Sequence, residues 1–237
     1  MKKHIPNTIT CCNLISGCIA IYYALSGDPL MALLWIVMGA VFDFFDGMSA
    51  RLLGVSSPIG KELDSLADVV TFGVAPSAIL FQFLCGFHQH FFVFLPFVAF
   101  VMAAFSALRL AKFNLDERQT TSFIGLPTPA NALFWGALLS WMNDRLLFEP
   151  YMLPDYYYYI VLILLPVSCY LLVAELPLFA LKFKHWGWKG NEVKYSFVVT
   201  SLLMIALPLF AGYGFLGISA TIAWYVLLSV LTQKRVA

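Results

Sequence analysis

Eight runs of mostly apolar residues, each close to the length that crosses a bilayer, constrain this chain more than any other feature. They fall at 8–25, 31–54, 59–86, 91–113, 129–147, 156–181, 195–211 and 213–232. A hydrocarbon core takes about 20 residues of helix, and a backbone inside it must satisfy its own N–H and C=O groups. The runs therefore predict an all-α polytopic membrane protein with about eight transmembrane helices, read as one catalytic domain over 1–237. The last two runs are separated only by Gly212-Tyr213-Gly214, which reads as a tight helical hairpin or as one long segment. The first run has no small-residue cleavage pattern and reads as a retained helix, not a signal peptide. Composition agrees, with 61% apolar and 11% charged residues against about 45–50% and about 25% in soluble domains. The net charge of +1 offers no field for a polyanion, which excludes nucleic acid as a partner. Cys11, Cys12, Cys18, Cys85 and Cys169 are scattered without metal-type spacing and read as packing residues.

Cationic residues set the expected orientation, because cytoplasmic loops collect Lys and Arg. One set of loops and ends carries 13 of them (Lys2, Lys3, Arg51, Lys61, Arg109, Lys112, Arg118, Lys182, Lys184, Lys189, Lys194, Lys234 and Arg235), and the opposite set carries only Arg145. An even number of spans fits this alternation, so both termini are expected in the cytoplasm and the chain in the cell membrane. The Tyr156–Tyr159 run reads as an interfacial aromatic belt.

Against this apolar background, four aspartates within 26 positions stand out: Asp43, Asp46, Asp64 and Asp68. A charge at the bilayer centre costs at least ~2.5 kcal/mol, so intramembrane acids point to function. Positions 43, 46, 47, 50 and 51 share one helix face, and 60, 64 and 68 share another. The short connection from Val55 to Pro58 makes the two helices antiparallel neighbours whose acidic stripes can meet, while Gly47, Ala50 and Gly60 leave room for close approach or for a ligand. Carboxylates without His or Cys suit a hard cation, Mg²⁺ or Mn²⁺, and two such ions would form a clamp suited to phosphoryl chemistry. Arg51 on the same face would donate to a phosphate oxygen. Two other readings stand beside this one: structural ion pairs with Arg51 and Lys61, and a cation transporter using the acids as its ion site. The transporter reading lacks the second, inverted copy of the acidic pattern that such folds often carry.

The pattern Asp43-x-x-Asp46-Gly47-x-x-Ala50-Arg51, eight residues, then Gly60-x-x-x-Asp64-x-x-x-Asp68 resembles the signature of the CDP-alcohol phosphotransferases. Ile5-Pro-Asn7-Thr-Ile-Thr10, Ser106-Ala-Leu-Arg109-Leu-Ala-Lys112-Phe-Asn114 and Phe123-Ile-Gly125-Leu-Pro127-Thr-Pro129-Ala look like the segments of that family's bacterial phosphatidylserine synthase branch. Asn131 departs from the alanine run expected after the second proline.

The resemblance implies transfer of a phosphatidyl group from CDP-diacylglycerol to the hydroxyl of L-serine, with release of CMP. A sister acceptor, glycerol 3-phosphate or inositol phosphate, is the alternative within the family. It further implies that Asp43, Asp46, Asp64 and Asp68 hold two Mg²⁺ or Mn²⁺ ions, with Asp68 also the general base. Asn7, Thr10, Gly47, Arg51 and Ser57 would contact CDP-diacylglycerol; on the residues alone, Asn7 reads equally as a helix cap and Ser57 as a turn residue. Arg109, Lys112 and Asn114 would line the serine pocket, although Arg109 reads equally as a snorkelling anchor and Lys112 as a lipid-headgroup contact. Membrane lipids and a second copy of the chain, as a homodimer, are the expected partners. His4, His88, His90 and His185 form no catalytic dyad; Glu175 reads as a helix–helix hydrogen bond from within a span, and Glu62 has no assigned role.

Overall fold

The computed structural model describes residues 4–55, 57–87, 94–115, 123–148, 155–179, 187 and 191–236. The sequence-predicted roles of Lys2, Lys3, Arg118, Lys182, Lys184, Lys189, His88, His90 and His185 fall outside them. The described chain forms eight helical rods: α1 (His4–Leu25), α2 (Pro29–Leu53), Pro58–Cys85, Leu95–Leu115, α6 (Thr128–Phe148), α7 (Asp155–Val173), α8 (Glu192–Phe210) and α9 (Leu216–Val236). The rod Pro58–Cys85 consists of α3 (Pro58–Asp68), a π-helical segment (Val69–Val74) and α4 (Ala75–Cys85); Leu95–Leu115 opens with a 3₁₀ turn (Leu95–Phe100) and continues as α5 (Val101–Leu115). Among the described residues, six rods are long and apolar enough to cross a membrane.

Helix boundaries follow local chemistry. Gly27 at φ 82° turns the chain, the Met31 amide donates to the Asp28 carboxylate at 2.9 Å, and Pro29 opens α2. Gly54 in the left-handed region (φ 61°) closes α2. Ser57 then caps α3 by accepting the Gly60 amide at 3.0 Å, with Pro58 in the first turn. Both ends use small residues with strong capping propensity.

The third span departs from the straight helix predicted over 59–86. It widens into a π segment right after Asp68, where Pro76, at the start of α4, has no N–H to give the carbonyl four residues back. The sixth span also ends earlier than predicted, at Val173 instead of 181. Beyond it Pro177–Leu178 pairs antiparallel with Phe123–Ile124, so among the described residues a two-residue ribbon stands beside the helices. Glu175 therefore lies after the helix, not within a span as the sequence suggested. Gly125 at φ 74° allows this crossing, because a Cβ there would lie 2.9 Å from both the Leu172 and the Ala174 carbonyl oxygens.

Lipid is as apolar as a leucine side chain, so membrane helices associate through small residues and polar contacts. α1 is built this way. Its buried positions are Pro6, Thr10, Asn13, Ser16, Gly17, Ala20 and Ala24, all small or polar, while Ile5, Ile15, Tyr22 and Leu25 face outward. α1 and α2 pack on the π segment around Thr71: a Cβ on Gly17 would lie 2.8 Å from the Thr71 Cα, and one on Gly39 would lie 2.9 Å from Asn13 Oδ1.

α8 and α9 form the hairpin read around Gly212. Gly217 sits against Ile205, and Trp224 Nε1 donates to Thr200 Oγ1 at 3.1 Å. The hairpin docks through α9, where Ser219 Oγ donates to the Phe134 carbonyl and the Tyr225 hydroxyl to the Phe179 carbonyl. α8 is mostly exposed.

The α1–π contact makes a direct prediction. Gly17→Ala meets backbone atoms that cannot yield, so the rods must separate; overpacking of this kind costs about 1–3 kcal/mol. Thermal melting in detergent should fall by several degrees, and an unchanged midpoint would contradict the packing described.

Candidate active site

Three rods meet at the acidic cluster. Asp43 and Asp46 come from α2, Asp64 and Asp68 from α3, and the polar face of α1 closes the third side. One carboxylate oxygen from each of Asp43, Asp64 and Asp68 lies within 4.8 Å of the others. Asp46 stands slightly apart: Thr10 Oγ1 donates to its Oδ2 at 2.6 Å. Thr10, expected from the resemblance to touch the donor, thus also orients an aspartate. Asp46 and Asp68 are buried, and Asp43 and Asp64 are half-buried.

Like charges packed this closely need compensation. Asp64 Oδ1 is buried without a hydrogen-bond donor. Both cations of the ion-pair alternative donate to backbone carbonyls instead: Lys61 Nζ to Asn114 at 3.0 Å and Arg51 Nε to Gly47 at 3.0 Å. An all-oxygen, anionic donor set with an unsatisfied buried oxygen fits a hard divalent cation.

Beside the cluster opens a cleft of about 260 Å³, lined by Pro6, Asn7 and Thr10 of α1, Asp46, Gly47 and Ala50 of α2, Val55 and Ser57 of the connection, and Gly60, Lys61 and Asp64 of α3. Four of the five residues expected to contact the donor, Asn7, Thr10, Gly47 and Ser57, line it. Arg51 is not on this lining and is exposed at the end of α2. A Cβ on Gly47 would meet nothing nearer than Arg51 Nη2 at 3.9 Å, so the helix wall is bare there for lack of a side chain, not because another helix presses on it. Gly60 is tighter: a Cβ there would stand 3.0 Å from both Asn7 Oδ1 and Ser57 Oγ.

The proposed serine residues separate. Arg109 is 7% exposed, with its Nε buried and unpartnered, and its guanidinium lies 5.7 Å from the Phe113 ring centre. A buried head group is incompatible with the snorkelling alternative. Lys112 is exposed. Asn114 ties α5 to α3, its Nδ2 donating to Ser65 Oγ at 2.7 Å.

A sequence profile of the CDP-alcohol phosphatidyltransferase family matches residues 3–172. The chain belongs to this family. The match ends at α7, so the six rods from α1 to α7 are the family's part and the α8–α9 hairpin lies beyond it. Among curated relatives, the CDP-diacylglycerol–serine O-phosphatidyltransferase of Bacillus subtilis is 42% identical over 131 residues, covering 54% of this chain and 70% of that protein. The Helicobacter pylori (strain J99) protein of the same name is 41% identical over 130 residues, 54% of each chain. That of Saccharomyces cerevisiae is 40% identical over 142 residues, 53% of this chain and 50% of its own length. The chain thus spans about half the length of the latter two relatives.

For a CDP-alcohol phosphatidyltransferase, sequence reasoning overlooked Asn13. It is fully buried; its Nδ2 donates to Asp68 Oδ1 at 3.1 Å, and its backbone carbonyl accepts from Thr71 Oγ1 at 3.0 Å. The signal was present as an Asn on the polar stripe of α1, one turn from Thr10.

The open face at Gly47 gives a second prediction. Gly47→Ala should melt like the parent protein, yet weaken binding of a CDP-linked donor at least about tenfold, since small displacements of a bound substrate carry penalties of that order or more. A KM for the donor equal to that of the parent would show that nothing occupies this face.

Proposed function

We propose that the chain is a CDP-diacylglycerol–serine O-phosphatidyltransferase, acting in phospholipid synthesis. The observation that carries the reading is the oxygen-only cluster of Asp43, Asp64 and Asp68, whose Asp64 lines a cleft shared with Asn7, Thr10, Gly47 and Ser57. The relatives' shared name supplies the acceptor.

In this reading the serine oxygen forms a bond to the β-phosphorus of CDP-diacylglycerol, the bond from that phosphorus to the CMP oxygen breaks, and phosphatidylserine and CMP leave. Asp68 takes the hydroxyl proton, with Asn13 holding one of its oxygens so that the other is free to face the acceptor. Asp43, Asp46, Asp64 and Asp68 would hold Mg²⁺ or Mn²⁺, which when bound neutralises charge on the diphosphate. The bare wall at Gly47 admits the nucleotide, and Ser57 and Asn7 offer it polar contacts. Buried Arg109 is the cation for the serine carboxylate. Catalysis is then mainly positioning and electrostatics. The 13-to-1 bias of Lys and Arg supports an orientation with both termini and the mouth of the cleft at the cytoplasmic face.

The test is CMP release by purified protein with CDP-diacylglycerol and Mn²⁺ or Mg²⁺, offering serine, glycerol 3-phosphate and inositol phosphate separately. Release should require serine and fall by at least about three orders of magnitude in Asp68→Asn, as for loss of an essential proton acceptor. Release with another acceptor alone would overturn the serine assignment, and full activity of Asp68→Asn would remove that residue as base.

A further inference from the structure

We propose that Lys61 binds the diphosphate of the CDP-linked donor, its ammonium exchanging a backbone carbonyl of α5 for a phosphate oxygen. The inference rests on the donor reading above and adds a residue that neither the signature nor the relatives' names assign.

The cleft poses a charge problem. Its lining carries two carboxylates, Asp46 and Asp64, and among the described residues that line it Lys61 is the one cation. Arg51, which the sequence pattern nominated for this task, stands off the lining with its Nε on the Gly47 carbonyl. Lys61 sits one turn before Asp64 on α3, so its stem follows the same wall as the acidic stripe. It is exposed, and its Nζ donates to the Asn114 carbonyl at 3.0 Å, at the last turn of α5. This carbonyl is a neutral acceptor at a helix C-terminus, favourable for a cation but weaker than an anionic phosphate oxygen. A flexible four-carbon stem lets the ammonium trade one for the other without moving the backbone.

The exchange leaves α5 attached to α3, because Asn114 Nδ2 keeps its own bond to Ser65 Oγ at 2.7 Å. Lys61 is thus a ready cation beside the cleft, placed where an incoming diphosphate would need one and parked on the helix that also carries Arg109.

The test is calorimetric titration of CDP, the donor's headgroup, into the full chain in detergent with Mn²⁺. Lys61→Met should weaken CDP binding at least about tenfold and flatten its salt dependence, as expected for loss of one charge–charge contact. Lys61→Arg should restore affinity to within about threefold, and both variants should melt like the parent, which separates lost charge from lost structure. Parent-like CDP affinity in Lys61→Met overturns the proposal, as does an Arg variant as weak as the Met variant. Failure of the parent protein itself to bind CDP would instead refute the donor reading on which the proposal rests.

Discussion

Everything at this site depends on how closely α1 approaches the π segment that follows Asp68. Gly17 and Gly39 have no side chains, so Thr71 and Asn13 fill the space between three rods. The Thr71 hydroxyl fixes the α1 backbone at Asn13, and the Asn13 amide reaches Asp68. One turn away Thr10 does the same for Asp46. In lipid, where no hydrophobic force draws helices together, such contacts between small and polar residues are the natural way to hold an interface. The packing that assembles the bundle is therefore also what aims the carboxylates.

This arrangement places like charges at short range inside the bundle, a configuration that costs stability unless a counter-charge is present. Lys61 and Arg51 are turned to backbone carbonyls, and Asp64 Oδ1 keeps no donor, so the cluster has room for a cationic ligand. A divalent ion bound to such a cluster would couple folding of this region to metal binding. The π turn contributes too. Wide turns of this kind are frequent at functional sites, and here one begins directly after Asp68 and presents Thr71 to α1.

Much of this was legible from spacing. The apolar runs gave eight rods, and the i, i+3, i+4 and i+4, i+8 patterns brought Asp43, Asp64 and Asp68 to one place. The parts that spacing missed have physical reasons. Hydropathy averages over a window and cannot sense that Pro76 frees a carbonyl and widens the helix at Val69, or that Pro177 and Gly125 draw the chain into a short ribbon. The polar stripe of α1 was hidden because Asn13, Ser16 and Gly17 are diluted by lipid-facing Ile and Tyr on the same helix. Side-chain direction was the other blind spot. Position alone left Arg109 equally a membrane-surface anchor and a pocket residue, whereas the fold buries it; the bond from the Asn114 amide to Ser65 could not be read from spacing at all.

The central claim is that the aspartates form a divalent-cation centre, and the most direct test is Mn²⁺ titration of the purified chain followed by electron paramagnetic resonance. The account predicts saturable binding of about two ions per chain with a spin-coupled spectrum, as for closely spaced ions sharing carboxylates, and loss of that spectrum in Asp43→Ala. No saturable binding, or the same coupled spectrum in Asp43→Ala, would contradict it.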